Sequence, residues 1–388
     1  MMDSQHPPKI TSTSPTIVGN ELAYIQDVIM NAKNLNGKGK YSQLCERWLE
    51  SFMRSGRALL VSSCTSALEM AAILADIQPG DEVILPSYTY VTTANAFVLR
   101  GAVPVFVDLD GSTMNIDANL IEAAITAKSK AIIPVHYGGI ACDMDRIMEI
   151  AKKHHLFVCE DAAMACTSTY RGRALGTIAP VGCISFQEKK NLTAGGQGGA
   201  LLINDPKLIS RAETIYEHGT NRALFFRGEV ERYQWLDLGI NATLSEIQAA
   251  FLYAQMQASD QINARRLTIW QRYHDAFIPL VQKGLITLPR VPEGTMHNAN
   301  VFWIRVTDAA QRPDLIHHLA RAHIEAHSQF TPLHLSPYGK KQGYFSGEDK
   351  VTSAAVSQIL ILPLSMTLSD SDQDRVIREV IGFWQGNQ

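Results

Sequence analysis

Hydrophobic positions follow two rhythms that alternate along the first half of the chain. From Arg57 to about Asn204, the runs "RALLVSS", "DEVILP", "VPVFVDL", "KAIIPVHY" and "LFVCEDAA" are rich in branched and aromatic residues and have the length of single strands. Between them stand "TSALEMAAILADI", "TTANAFVLRG", "NLIEAAITAKS" and "MDRIMEIAKKHH", in which apolar residues recur at helical spacing. Strands separated by helices in this order predict a mostly parallel sheet covered on both faces, because each helical crossover returns the chain to the same end of the sheet. The runs "VGCISF" and "GALLIND" follow with no helix between them, which predicts a hairpin-like pair inside that sheet. Turn-forming clusters, "QPGDE", "DLDGST" and "YGGIACD", fall where loops on the sheet's rim are needed.

After Thr243 the pattern changes. The stretch "LSEIQAAFLYAQMQASDQINARRLTIWQRYHDAF" predicts one long helix, followed by a strand "NVFWIRV", a helix "RPDLIHHLARAHIEA" and further short helices. This arrangement predicts a large α/β domain over residues 1–250 and a smaller C-terminal α+β domain over residues 251–388. There is no internal repeat and no low-complexity linker.

Composition narrows the function. With 388 residues and 46% hydrophobic content the chain has enough apolar surface for a sizeable core. Lys and Arg total 35 against 38 Asp and Glu, a formal charge of −3, so no basic field favours nucleic acid or an anionic membrane surface. No apolar run approaches the roughly 20 residues of a membrane span, and "MMDSQHPPKITSTSP" lacks a signal peptide's pattern, so a cytoplasmic location is expected. The six cysteines, Cys45, Cys64, Cys142, Cys159, Cys166 and Cys183, match neither a metal pair nor a disulfide framework. They are expected as reduced thiols, several of them in the core, and no metal site is expected.

Ligands of open α/β sheets sit beyond the carboxyl ends of the strands, so the residues just past each strand carry the chemistry. After the first strand comes "SCTSALE", hydroxylic residues opening a helix; taken alone they read by default as an ordinary N-cap, and they also suit an anion. Asp161 ends "LFVCED", and Tyr88 and Tyr90 follow "DEVILPS". The stretch "SFQEKKNLTAGGQGGALLI" then sets Lys189 and Lys190 ahead of four glycines, whose small size lets backbone pass close to a ligand. A lysine pair is by default a solvated surface feature. Here its company is an anion-binding helix start, an acid and aromatic rings on one rim, a set that suggests pyridoxal 5'-phosphate. Spacing alone does not choose between the two lysines.

At these residues the chain resembles the DegT/DnrJ/EryC1/StrS family of sugar aminotransferases, pyridoxal-phosphate enzymes of the aspartate aminotransferase fold (fold type I). The stretches "SCTSALEMAA", "PGDEVILPSYTYVTTANAFVLRGA", "TMNIDANLIEAAIT", "IIPVHYGG", "CEDAAM", "STYRGRALGTI" and "EHGTNRALFFRGEV" carry the resemblance, which runs from "PTIVGNELAYI" to "LILPLS". The family's pattern is Ser-Phe-His, two variable residues, then Lys-Asn; it implies that Lys190 is the cofactor-binding lysine and that Lys189 fills a variable slot. It further implies that Asp161 faces the pyridine nitrogen, that Thr65, Ser66 and Ser185 bind the phosphate, and that Tyr90 stacks on the ring. Asn241 matches an asparagine that a neighbouring subunit contributes, which implies a homodimer with shared active sites. Two positions depart from the family's usual residues: Met164, beside the cofactor where glutamine or histidine is usual, and Gln197 in "GQGG". The implied reaction takes the amino group of L-glutamate to C4 of a nucleotide-linked ketosugar, specifically dTDP-4-dehydro-6-deoxy-D-glucose, giving dTDP-4-amino-4,6-dideoxy-D-galactose for surface polysaccharide. Amination at C3, a UDP-ketosugar substrate, and a non-catalytic cofactor-binding regulatory protein stand as alternatives. Family members that are dehydratases replace the lysine with histidine, and Lys190 argues against that class.

Overall fold

The computed structural model describes residues 8–385. The first seven residues of the stretch read for a signal peptide lie outside that range. Two amphipathic helices, α1 (Glu21–Asn31) and α2 (Lys40–Met53), precede the first strand, β1 (Arg57–Val61). The predicted alternation then appears: α3 (Cys64–Leu74), β2 (Glu82–Pro86), α4 (Thr92–Val98), β3 (Val103–Val107), β4 (Ser129–Ile132), α5 (Met144–His154) and β5 (Phe157–Asp161). The hairpin-like pair is β6 (Val181–Ser185) and β7 (Gly199–Ile203), which run antiparallel with Ser185 opposite Gly199. The next helix, α6 (Ile209–Tyr216), returns to the sheet's flank.

Sheet order is β1-β7-β6-β5-β4-β2-β3, with β10 (Tyr344–Phe345) added in parallel beside β3. Every strand but β7 runs the same way. Alternation along the strands divides their side chains between two cores. In β1, Ala58 and Leu60 pack with Val28 of α1 and Leu49 of α2, whereas Leu59 and Val61 pack with Leu68 of α3 and Phe97 of α4. Buried strands facing helices on both sides account for their nearly unbroken apolar character.

Local chemistry sets the helix ends. The Ser63 and Asp143 side chains accept the Ser66 and Arg146 N–H groups at the starts of α3 and α5, and α5 ends on Lys152, Lys153 and His154, where cations meet the negative end of the helix dipole. The segment from Asn119, predicted as a helix, forms only one α-turn, Ala118–Ile121, and a tight turn, Glu122–Ala124. The chain must extend at Ile125 to enter β4, and Glu122 is taken up by Arg146, Lys153 and His154.

The predicted single long helix is two, α7 (Glu246–Gln257) and α8 (Ser259–Gln282), broken at Ala258. Leu252 and Met256 of α7 belong to the core under the large sheet, while Ile269, Tyr273 and Phe277 of α8 belong to a separate C-terminal core. The break lets one nearly continuous helical pattern serve both cores. The C-terminal core covers an antiparallel sheet of β8 (Ile286–Thr287), β9 (Phe302–Val306) and β11 (Ile359–Leu362), with α9 (Gln311–Arg321) and α10 (Asp370–Gln385) against it. The closing helix α10, at 16 residues, is longer than the short helices predicted there. Ile10 from the start of the chain joins this C-terminal core, so residues from both ends of the chain pack there. All six cysteines are free and buried. No helix among the described residues is long and apolar enough to cross a membrane.

Candidate active site

Strand register gathers the candidate residues. Gly199 of β7 lies opposite both Ser185 of β6 and Val61 of β1, and Cys183 of β6 lies opposite Asp161 of β5. The carboxyl ends of β1, β5 and β6 therefore share one edge, where Ser62–Ser66, Asp161, Ser185 and the loop carrying Lys190 meet. Residues far apart in sequence are brought together by backbone pairing alone.

The first turn of α3 offers hydroxyls and unpaired N–H groups at the same edge. Ser63 Oγ accepts the Ser66 N–H at 3.1 Å, and Ser66 Oγ lies 3.0 Å from Ser63 Oγ and 3.2 Å from Ser62 Oγ. The Cys64 and Thr65 N–H groups have no acceptor among the described residues, and Thr65 and Ser66 are half-buried. Unpaired N–H groups at the positive end of a helix dipole are suited to a phosphate. Gly199 makes this approach possible: a Cβ there would strike the Ser63 carbonyl carbon and the Cys64 nitrogen. The glycine thus admits a helix terminus of the protein itself, where sequence alone suggested room for a ligand.

The two lysines differ sharply in setting. Lys189 is exposed, and its backbone N–H is held by Gln187 Oε1 at 2.9 Å. Lys190 is half-buried, and its Nζ makes no hydrogen bond among the described residues. Burial lowers its pKa below the ordinary lysine value, against the opposing pull of Cys64 and Asp161, so a larger share of it is free amine near neutrality. Asp161 is buried; Thr93 Oγ1 donates to its Oδ2 at 2.7 Å and the Ala163 N–H to its Oδ1 at 3.1 Å. Burial raises its pKa, while those two hydrogen bonds and then Lys190 favour the charged form. A cation brought against this carboxylate would be strongly favoured.

Tyr90 stands on the same rim, 57% exposed, one turn before Thr93 and 6.2 Å, ring to ring, from Phe330. Tyr88 is buried instead, 3.1 Å from the Tyr137 hydroxyl. Met164 turns a half-buried side chain into the apolar cluster of Tyr88, Tyr137 and Trp303. Gln197 is exposed, and its carbonyl accepts the Gln248 side-chain amide at 2.8 Å. Asn241 adjoins β1 through the hydrogen bond from Ser62 N–H to the Ala242 carbonyl, yet its side chain is exposed. It lines a cleft with Lys38, Glu217, Arg222 and Phe226 that includes none of Lys190, Asp161 and Ser66.

Sequence reasoning missed Thr93, whose only signal was its place in a helix after β2, and a buried pair behind Asp161. The Cys142 N–H donates to His136 Nδ1 at 3.2 Å, which puts the ring proton on Nε2, 3.0 Å from Glu160 Oε2. Glu160 also accepts N–H groups of Gly176, Ile178 and Ala179. Adjacent acids at the end of β5 thus face opposite ways: Glu160 anchors the following loop, and Asp161 meets Thr93 and the Lys190 side.

A half-buried amine with no hydrogen-bond partner among the described residues, a buried carboxylate and two unpaired helix N–H groups fit pyridoxal 5'-phosphate at its aldehyde, ring nitrogen and phosphate respectively. Fold and site define the class of pyridoxal-phosphate enzymes with this α/β architecture. A model of the DegT/DnrJ/EryC1/StrS aminotransferase family matches residues 15–381. The spore coat polysaccharide biosynthesis protein SpsC of Bacillus subtilis (strain 168) is 36% identical over 357 residues, covering 90% of this chain and 91% of that protein. The GDP-perosamine synthase of Caulobacter vibrioides is 33% identical over 376 residues, covering 95% and 97%. Among solved structures, S. venezuelae DesV in complex with a ketimine intermediate matches with a TM-score of 0.87 and 30% identity, over 97% of this chain and 99% of that one. The chain belongs to the DegT/DnrJ/EryC1/StrS aminotransferase family. It is a pyridoxal-phosphate-dependent sugar aminotransferase.

Proposed function

We propose that this aminotransferase carries the amino group of L-glutamate to C4 of a nucleotide-linked 4-keto-6-deoxyhexose. Its foremost substrate on this reading is dTDP-4-dehydro-6-deoxy-D-glucose, and its product is dTDP-4-amino-4,6-dideoxy-D-galactose. The observation that carries the reaction is the convergence of Lys190, Asp161 and the open start of α3 on one sheet edge in a chain of this family. The choice of sugar is supported by the family resemblance in the stretches around these residues. SpsC is named for polysaccharide biosynthesis, which agrees with a surface-glycan destination, whereas GDP-perosamine synthase is named for a GDP-linked product. Nucleotide is therefore what the test must separate.

Pyridoxal phosphate, when bound, supplies the electron sink for breaking a Cα–H bond. On this proposal the Cys64 and Thr65 N–H groups with the Ser66 and Ser185 hydroxyls hold the phosphate. Asp161 holds a proton at the ring nitrogen, since a buried carboxylate gains most from a cation at its face. Tyr90 covers the ring and shields it from water. Lys190 Nζ, whose burial favours the free amine, would take the proton from the donor's Cα and deliver it to the carbon on the other side of the transferred nitrogen. Asn241, exposed and outside this cluster, serves the phosphate site of a second copy in a homodimer.

Mass spectrometry of products from L-glutamate and a panel of dTDP-, GDP- and UDP-linked ketosugars tests the reading. A dTDP-linked product aminated at C4, assigned by NMR, is the expected result. Amination of the GDP- or UDP-sugars alone, or at C3, overturns the substrate assignment while leaving the aminotransferase intact.

A further inference from the structure

The loop between β6 and β7 carries Lys190, and the residue that ties it sideways at that point is Asn191. Asn191 is 3% exposed, with every hydrogen-bonding group of its amide engaged. Its Nδ2 donates to the Asn298 carbonyl at 2.6 Å and to Asn263 Oδ1 at 3.2 Å, and its Oδ1 accepts from Asn300 Nδ2 at 2.9 Å. The same segment reaches back to the turn after Asp161. Asn298 Nδ2 donates to the Met164 and Cys166 carbonyls at 3.1 and 2.7 Å, and its N–H donates to Ser168 Oγ at 3.1 Å. Asn263, on α8, adds a bond to Thr167 Oγ1 at 2.8 Å. One set of asparagines, buried at 191, 298 and 300 and half-buried at 263, therefore holds both the Lys190 loop and the turn that follows Asp161.

This set is itself fixed from behind. Ala299, between the two asparagines, has a φ of 50°, a left-handed conformation that a residue with a Cβ adopts only under constraint. The constraint is Arg266 of α8, 4% exposed and with no carboxylate partner among the described residues, whose guanidinium donates to the Ala299 and Asn300 carbonyls at 3.1 and 2.7 Å. A buried guanidinium spent on two backbone carbonyls makes the 298–300 segment a rigid post. The Asn191 amide is satisfied in full, whereas Asn298 Oδ1 is buried without a partner among the described residues, so it is the bonds of Asn191 and of the Asn298 N–H groups that fix the arrangement of the groups they join.

We propose that Asn191, acting with Asn298, is the positioning residue that sets where Lys190 stands relative to Asp161. The argument rests on the reading of Lys190 as the cofactor lysine. Transfer of one proton between two carbons that flank a single nitrogen requires the amine to be placed to within a fraction of an ångström of a position that reaches both. A misplacement of about 1 Å costs on the order of 100-fold in rate. The Asn191 side chain is buried and its amide is engaged by other asparagines, so rate should suffer on its loss and sugar affinity should not.

The test uses the cofactor-loaded enzyme with Asn191→Ala and, separately, Asn263→Ala, which removes one of the Asn191 bonds and the Thr167 bond from the far side. Three quantities are read: kcat against KM for the ketosugar, the melting temperature, and the fraction of cofactor that borohydride fixes to Lys190, mapped by peptide mass spectrometry. Asn191→Ala is expected to lower kcat by roughly 30- to 100-fold with KM within about threefold, and to lower the fixed fraction. Asn263→Ala is expected to move both in the same direction by about three- to tenfold. A lower melting temperature with unchanged kcat and unchanged fixation marks a merely structural role and overturns the proposal. If Asn191→Ala does not fold, Asn263→Ala decides alone, and wild-type kcat and fixation in it overturn the proposal. An adduct mapping to a residue other than Lys190 overturns the underlying assignment instead.

Discussion

Gly199→Ala offers a direct test of how the anion site is built. The glycine pairs with Ser185 on one side and Val61 on the other, and a Cβ there would fall within 3.0 Å of both the Ser63 and Cys64 backbone. Backbone on both sides has no flexible end to move, so the start of α3 must shift by roughly 1 Å, at a cost of about 1–3 kcal/mol in packing. The same shift draws the Cys64 and Thr65 N–H groups away from a bound phosphate. Losing one charge-assisted hydrogen bond there costs about 1.5–3 kcal/mol, or roughly 10- to 100-fold in cofactor affinity. Dialysed protein titrated with pyridoxal phosphate, followed by visible absorbance, measures that affinity, and thermal unfolding measures the packing cost. Gly382→Ala, inside α10 with nothing within 4 Å of the added carbon, is the control and is expected to stabilise by up to about 1 kcal/mol. Wild-type cofactor affinity in a destabilised Gly199→Ala protein would show that the start of α3 does not hold the phosphate. No change in either measurement would refute the close approach itself.

Lys190→Ala is expected to abolish both turnover and borohydride fixation of the cofactor, while the exposed Lys189→Ala keeps most of each; a peptide adduct on Lys189 would reverse the assignment. Mixing inactive Lys190→Ala and Asn241→Ala proteins under subunit exchange is expected to restore up to half the wild-type activity per mixed dimer, because one of its two equivalent sites carries neither defect. Mixtures as inactive as their parents would place Asn241 in its own chain's site. His297, packed 4.5 Å from Trp270 with its Nδ1 accepting the Ala299 N–H at 3.2 Å, is pushed down to about 4 by burial and then by His274. Between that value and the ordinary 6.5 the unfolded chain binds the proton and the folded chain does not, so this contribution is complete above 6.5 and is lost as pH falls toward 4. Discounted for its half-buried setting, it amounts to about 2 kcal/mol. Urea unfolding at pH 7.5 and pH 4.5 should show the loss in the wild type and a smaller one in His297→Gln; equal losses would clear His297 of the role.

Local pattern by itself determined the alternation of strands and helices from β1 to β5, apart from the segment at Asn119 that forms only short turns, and the hairpin-like pair of β6 and β7. Each of these follows from spacing of apolar residues over a few turns or a few pleats, which neighbouring residues dictate. The position of polar residues at strand ends was legible for the same reason: Asp161 closes an apolar run, and hydroxylic residues open a helix. The choice of Lys190 over Lys189 came from family resemblance, and the structure added its physical side, one amine half-buried and unpaired, the other in solvent. Only tertiary structure decided that the pattern after Thr243 breaks at Ala258, since nothing local distinguishes one long amphipathic helix from two that serve different cores. Only tertiary structure showed Gly199 making room for a helix terminus, Thr93 bound to Asp161, and four asparagines spread from 191 to 300 closing into one network. Those relations join residues tens to more than a hundred positions apart. Strand register and the packing of two cores create them, and no local rhythm encodes either.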